Sequence, residues 1–143
     1  MSERHEGHDR SAGLQPLAGV EFNVGIDMES HERFEHLGES RGATLRYVFD
    51  SPEIDYCERF ENAAERFAGT WCAKEAVVKA AWPWVHLEPR RVTIGHSEDG
   101  APHASIVDWD ADAVGLTIRV SVSHTDGQAI AAAIVWGPTG GAE

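Results

Sequence analysis

A chain of 143 residues that is 42% apolar can bury the core of one domain and is too apolar to be disordered. Its formal net charge of −12 with histidines neutral has the wrong sign for nonspecific binding to nucleic acid or anionic lipid. No apolar run approaches the ~20 residues that cross a bilayer, so no membrane association is expected.

Residues 1–19 are polar and rich in Gly, Glu and His. They lack the apolar centre of a secretory signal and read as a flexible arm. Val20-Glu21-Phe22-Asn23-Val24-Gly25-Ile26 alternates at period two, which predicts a strand with Asp27 at its end. Met28 to Leu37 reads as a helix, closed by Gly38. Arg41 and Arg46 fall in a following loop and strand region. Asp50-Ser51-Pro52-Glu53 is a helix start, with a cap and then Pro and Glu in the first turn. A short helix should run to about Phe60. A long one should run from about Asn62 to Trp82, where Pro83 stops it.

The second half changes period. Arg91 to Gly95 and His103 to Val107 read as strands about the Glu98-Asp99-Gly100 turn. Asp108 to Val114 is a linker with at most a turn or two of helix. Leu116 to Ser123 is a strand, Asp126-Gly127 a turn, and Gln128 to Trp136 a returning strand. Strand, helices and an antiparallel meander make an α+β domain, an antiparallel sheet with the long helix packed on it. It spans 20–137, with 138–143 as a tail. Cys57 and Cys72 form no disulfide framework and predict reduced thiols in a cytoplasmic protein.

Chemistry concentrates on the long helix, in Lys74-Glu75-Ala76-Val77-Val78-Lys79. Glu75 and Lys79 are four apart and share one helical face. Such a pair either makes a surface stripe or offers a hard-cation acceptor beside a phosphate donor. Ser123-His124-Thr125 closes a strand and is either a polar strand end or part of a site. His5, His8, His31 and His36 fit no metal-site spacing. Glu58, Glu61 and Glu65 read as a solvated face. No segment resembles the nucleophile elbow of a serine hydrolase.

Three segments together resemble the holo-acyl-carrier-protein synthase family, the small 4′-phosphopantetheinyl transferases. Gly25-Ile26-Asp27-Met28-Glu29-Ser30-His31-Glu32-Arg33-Phe34 is similar to the family's G-[IL]-D-[IL]-x-x-x-x-R-[FI] opening. Arg66-Phe67-Ala68-Gly69-Thr70-Trp71-Cys72-Ala73-Lys74-Glu75-Ala76-Val77-Val78-Lys79-Ala80 is similar to its R-F-A-x-R-[FW]-[AC]-A-K-E-A-x-x-K-A helix. Val120-Ser121-Val122-Ser123-His124-Thr125 is similar to its closing [VL]-S-[IL]-[ST]-H-[ST], and Gly100-Ala101-Pro102 matches its G-x-P.

The resemblance implies transfer of phosphopantetheine from coenzyme A to a serine of an acyl carrier protein, with release of adenosine 3′,5′-bisphosphate. It implies magnesium, and a homotrimer with sites between subunits. Asp27 and Glu75 fall on the family's metal-ligand positions, and Lys79 would reach a phosphate. Glu75, or a water held by the metal, would take the serine proton. Lys74, Lys79, Ser123, His124 and Thr125 would bind coenzyme A. Arg33, Arg41 and Arg46 would face the carrier. Two positions depart from the pattern: Thr70 stands where the family commonly has Arg, and Gln128 where an aromatic is usual. With the acidic surface, they motivate a rival reading, a protein that binds coenzyme A or a carrier without turnover.

Overall fold

The computed structural model describes residues 19–35 and 41–139. Among the described residues, five strands and four α-helices follow one another as β1 (Val20–Ser30), α1 (Glu32–Glu35), α2 (Arg41–Val48), α3 (Ser51–Glu58), α4 (Ala63–Ala81), β2 (Val92–His96), β3 (Pro102–Ile106), β4 (Thr117–Thr125) and β5 (Gln128–Pro138). Short 3₁₀ turns precede β2 and β4. β1 pairs with β5, and β5 with β4, all antiparallel. β2 and β3 form a separate hairpin. The α+β prediction holds, but the first strand joins the last two in place of one continuous meander.

β1 departs from its prediction in length. It continues past Asp27 to Ser30, so Asp27 sits within the strand opposite Ala131. Its apolar residues Phe22, Val24, Ile26 and Met28 are exposed, while Asn23, Gly25, Asp27 and Glu29 face α4. The polar row is used. Asn23 donates its amide to the carbonyls of Lys79 and Ala80 at 3.2 and 3.1 Å, satisfying acceptors that the end of α4 leaves open. Gly25 lets the helix touch the strand, because a Cβ there would lie 2.0 Å from the Ala76 carbonyl oxygen.

The helix expected over 28–37 is a single turn within the described residues, since strand pairing claims Met28 to Ser30. Arg41 and Arg46 belong to a helix, α2, not to loop and strand. α3 starts as predicted, with the Asp50 carboxylate accepting from the Glu53 amide at 2.9 Å. α4 has Asn62 as its N-cap. β5 ends at Pro138, paired with Val20, two residues past the expected strand end at Trp136. The predicted arm lies outside the described residues except for Gly19.

The core fills the space between α4 and the sheet. Ala129, Ala131 and Ala133 of β5 form a floor of small side chains beneath Ala73, Ala76 and Ala80. Phe34, Phe49 and Phe67 close one end with ring contacts of 5.2 to 6.4 Å. Inside this apolar shell sits one ion pair. Lys74, 1% exposed, donates to both Glu53 oxygens at 2.8 and 2.9 Å and to the Val92 carbonyl. Burial opposes the charge on Glu53 and lifts its carboxyl above the usual range, while Lys74 pulls the other way. Lys74 therefore ties α4 to α3 and β2 and does not reach solvent, which corrects its assignment to coenzyme A binding.

Removing one partner leaves a buried charge uncompensated. Glu53→Leu or Lys74→Met alone should cost ~3–5 kcal/mol, and the double variant clearly less than the sum. Urea denaturation of the four proteins checks this; additive costs would refute the coupling.

Candidate functional site

One group of chemistry-bearing residues gathers where β1 passes under the second half of α4. Lys79 donates to Asp27 Oδ1 at 3.1 Å and to the Ile26 carbonyl at 2.9 Å. Glu75, one turn earlier on α4, is half-buried. Burial raises its carboxyl above the usual range, the neighbouring Asp27 charge adds to this, and Lys79 and Arg33 oppose it. Arg33 pairs with Glu29 at 2.5 Å, and its guanidinium lies 5.1 Å from the Trp71 ring. Two neighbouring carboxylates, with an ammonium bound to one of them, offer hard oxygen donors for a small cation and a point charge for a phosphate.

A second group surrounds a cleft of about 130 Å³ at the other end of α4. Arg66, Gly69 and Thr70 of α4 line it, with Tyr56 of α3, His96 of β2 and His124 of β4. The Tyr56 and His96 rings stack 3.8 Å apart at 11°. Arg66 lies over the Phe60 ring at 4.1 Å. His96 and His124 are both held below the ordinary histidine range, chiefly by burial. For His96, His103 and Arg66 add to the effect. For His124, Glu65 opposes it, while His31 and Arg66 add to it. The cleft is thus cationic through Arg66 and gains charge as its histidines protonate. It is smaller than the ~300–1,000 Å³ of a complete small-molecule site.

The family model described as "4'-phosphopantetheinyl transferase superfamily" matches residues 23–135, nearly the whole described domain. The chain belongs to that superfamily.

Among curated members, a holo-[acyl-carrier-protein] synthase of Chlorobium limicola is 32% identical over 80% of this chain and 93% of its own length. The fatty acid synthase subunit alpha of Candida parapsilosis is 33% identical over 85% of this chain. This chain spans only 7% of that much longer subunit. Among solved structures, the Helicobacter pylori holo-[acyl-carrier-protein] synthase in complex with coenzyme A is 27% identical. It has a TM-score of 0.67 over 78% of this chain and 98% of that one. The Mycobacterium tuberculosis acyl carrier protein synthase is 28% identical with a TM-score of 0.61, over 81% and 97%.

Within this superfamily member, the residues singled out from sequence fall into five places. Asp27, Glu75 and Lys79 come together at the β1 edge. His124 lines the cleft, while Ser123 and Thr125, by strand alternation, turn to the opposite face beside Met28 and Gln128. Lys74 is in the core. Arg33 and Arg46 are exposed on α1 and α2; Arg41 begins α2. None of Asp27, Glu75 and Lys79 lines the cleft, and buried Cys72, Ala73 and Ala76 of α4 lie between the two groups.

Sequence reasoning missed Tyr56, His96 and Gly69, and it read Glu65 as a solvated face. The G-x-P after β2 was the available signal for the cleft, since Gly100 and Pro102 line it. Glu65 is engaged on both sides: its Oε2 accepts from Asn62, and its Oε1 lies 3.8 Å from His124 Nδ1.

Gly69 seats His124 against the helix. A Cβ there would lie 2.7 Å from His124 Cε1, 2.9 Å from Nε2 and 3.1 Å from Val122 Cγ1. Gly69→Ala should therefore cost ~1–3 kcal/mol through overpacking. In a His124→Ala background the cost should shrink, because alanine's helix preference of ~1 kcal/mol is then opposed only by Val122. Urea denaturation of the four proteins measures the difference, and an unchanged cost would rule out the imidazole as the obstacle.

Proposed function

We propose that this chain transfers the 4′-phosphopantetheine group from coenzyme A to a serine hydroxyl of an acyl carrier protein, releasing adenosine 3′,5′-bisphosphate. The Asp27–Glu75–Lys79 cluster carries the reading, because phosphoryl transfer rests on placing and neutralising charge.

Asp27 and Glu75 fit a magnesium ion: both are carboxylates, they interact, and a hard cation takes such oxygens together with substrate oxygens. When bound, the ion neutralises pyrophosphate charge and favours loss of the serine proton. Lys79 meets the departing phosphate as a mobile ammonium. Of the chain's own groups at this edge, Glu75 is the one suited to take the serine proton, because burial and Asp27 raise its proton affinity. Arg66 and His124 face anionic groups of the nucleotide, and the cleft admits a part of coenzyme A, not its whole length.

The carrier would approach over α1 and α2. Arg33 is already paired with Glu29, so the basic patch is weak. An apolar groove of Leu45, Val48, Phe49 and Trp71 beside Arg33 supplies contact area that an acidic protein can offer an acidic partner. The two cysteines are free and buried. Burial pushes their thiols up to about 11 and 12, and reduced, inert thiols favour a cytoplasmic setting.

Incubation with coenzyme A, magnesium and an apo-carrier should raise the carrier's mass by one phosphopantetheine arm. Glu75→Ala should lower the rate by about 100-fold or more. No mass gain with any of several carriers, coenzyme A binding notwithstanding, would favour the binding-only rival.

Two halves of a site at opposite ends of α4 come together if a second copy brings its cluster to the first copy's cleft. Phe22, Val24, Ile26 and Met28 of β1, with Ile130 and Ile134 of β5, make an exposed apolar face within this chain. A cyclic trimer covers such a face without leaving an open end. Sedimentation should give three times the chain mass. Ile134→Glu should dissociate the assembly and reduce transfer with it; a monomeric, fully active wild type would refute the trimer.

A further inference from the structure

We propose that His31 is a positioning residue for His124: its Nε2 accepts from Nδ1 of the His124 imidazole and turns the other ring nitrogen, Nε2, toward the cleft. The consequence for turnover rests on the transferase reading above. The geometric statement does not.

His31 stands at a position the family motif leaves open, and it lies at the junction of β1 and α1. It is 6% exposed, an uncommon burial for a side chain with two polar nitrogens. Its backbone amide donates to the Gly127 carbonyl at 2.9 Å, which fixes the junction against the β4–β5 turn. From there its Nε2 reaches within 3.5 Å of His124 Nδ1, with the ring centroids 5.6 Å apart.

A second acceptor faces the same nitrogen. Glu65 Oε1 lies 3.8 Å from His124 Nδ1. Glu65 is itself held by Asn62 at the start of α4, through its backbone amide at 3.3 Å and its Oε2 at 2.9 Å. The Nε2 side of the ring lies over Gly69, where a Cβ would meet it at 2.9 Å. Gly69 lines the cleft. The His31 contact allows either ring to donate, and the Glu65 carboxylate beside Nδ1 favours the arrangement in which His124 does. Nδ1 carries the hydrogen, and Nε2 presents its lone pair to the cleft. The arrangement requires His31 to carry its own hydrogen on Nδ1, so that its Nε2 can accept.

The charged and titratable groups facing His124 are His31 from the β1–α1 junction and Glu65 and Arg66 from α4. Arg66 opposes a charge on His124, and Glu65 favours one. An anion arriving at Nε2 adds a second favourable charge. The ring then takes up one proton from solvent on Nε2 and keeps it, donating that N–H as a hydrogen bond to the anion, while Nδ1–H stays with His31. Without His31, neutral His124 is free to place its hydrogen on Nε2 and rotate away from α4.

The test uses the full chain with two variants, His31→Leu and His31→Gln. Leu removes the acceptor, and Gln returns an acceptor oxygen near the place of Nε2. Imidazole nitrogen shifts, assigned with His124→Ala, are read at about pH 8, where the ring is neutral. The wild type and the Gln variant should carry the His124 hydrogen on Nδ1, and the Leu variant, left with only Glu65 at 3.8 Å, should shift toward the Nε2 form. In transfer assays KM for coenzyme A should rise about tenfold in the Leu variant, with kcat within about threefold, and Gln should restore it.

A wild type with the hydrogen on Nε2 overturns the proposal. So does a Leu variant with unchanged tautomer, or a loss that Gln fails to restore, which would mark a packing role. If the wild type transfers nothing, the transferase reading fails, and the nitrogen shifts still decide the role of His31.

Discussion

Everything about this molecule follows from how closely α4 lies on its sheet. Gly25 gives β1 no side chain where the Ala76 carbonyl passes, and β5 presents Ala129, Ala131 and Ala133 as a floor. A helix that sits this low cannot slide or roll without meeting backbone. Its two ends are therefore fixed over two different strands. Gly69 lies over Val122 and His124 of β4, while Ala80 and Lys79 lie over Asn23 and Asp27 of β1. One rigid element thus carries a carboxylate–ammonium cluster at one end and the cleft of Arg66 and His124 at the other, with its own apolar middle between them.

The rotation of α4 about its axis is set from the other side. Lys74 points into the core toward Glu53 and Val92, so the adjacent Glu75 turns outward to the β1 edge. Asp50 adds to the anchor: one of its oxygens caps α3, and the other accepts from the Thr93 hydroxyl at 2.9 Å. A buried ion pair is weak evidence of net stability. Its effect here is directional, since it gives the helix one acceptable register among α3, β2 and the sheet.

Most of the elements could be read from the sequence because their signals are local. The Asp50-Ser51-Pro52-Glu53 start, the stop near Pro83 and the Asp126-Gly127 turn each depend on neighbouring residues. The facing of β1 could not be read this way. Alternation says that Phe22, Val24, Ile26 and Met28 share a face, but not that the helix takes the polar face and leaves the apolar one outward. That choice depends on Gly25 and Asn23 meeting α4 more than fifty residues later. Lys74 misled for a related reason: a lysine beside Glu75 in a site motif gives no sign of a carboxylate buried on α3. The His31–His124 contact joins residues 93 apart and carries no periodic signal at all.

Thr70 shows how this chain answers the loss of a permanent charge. Its hydroxyl donates back to the Arg66 carbonyl at 2.9 Å and lies 3.5 Å from Cys57 Sγ. It therefore completes the helix and core and contributes no cation to the cleft. Arg66 is left as the fixed positive charge there, and the remainder must come from His96 and His124, both held below the ordinary histidine range. A histidine held below its ordinary range is neutral near pH 7, so it adds charge only as pH falls or as an anion draws a proton onto it. The positive charge of this cleft therefore rises toward acid pH, whereas an arginine in place of Thr70 would have added a charge that does not vary with pH. On a molecule of net charge −12, a response confined to the cleft leaves the long-range field nearly unchanged and lets the local site respond to its ligand.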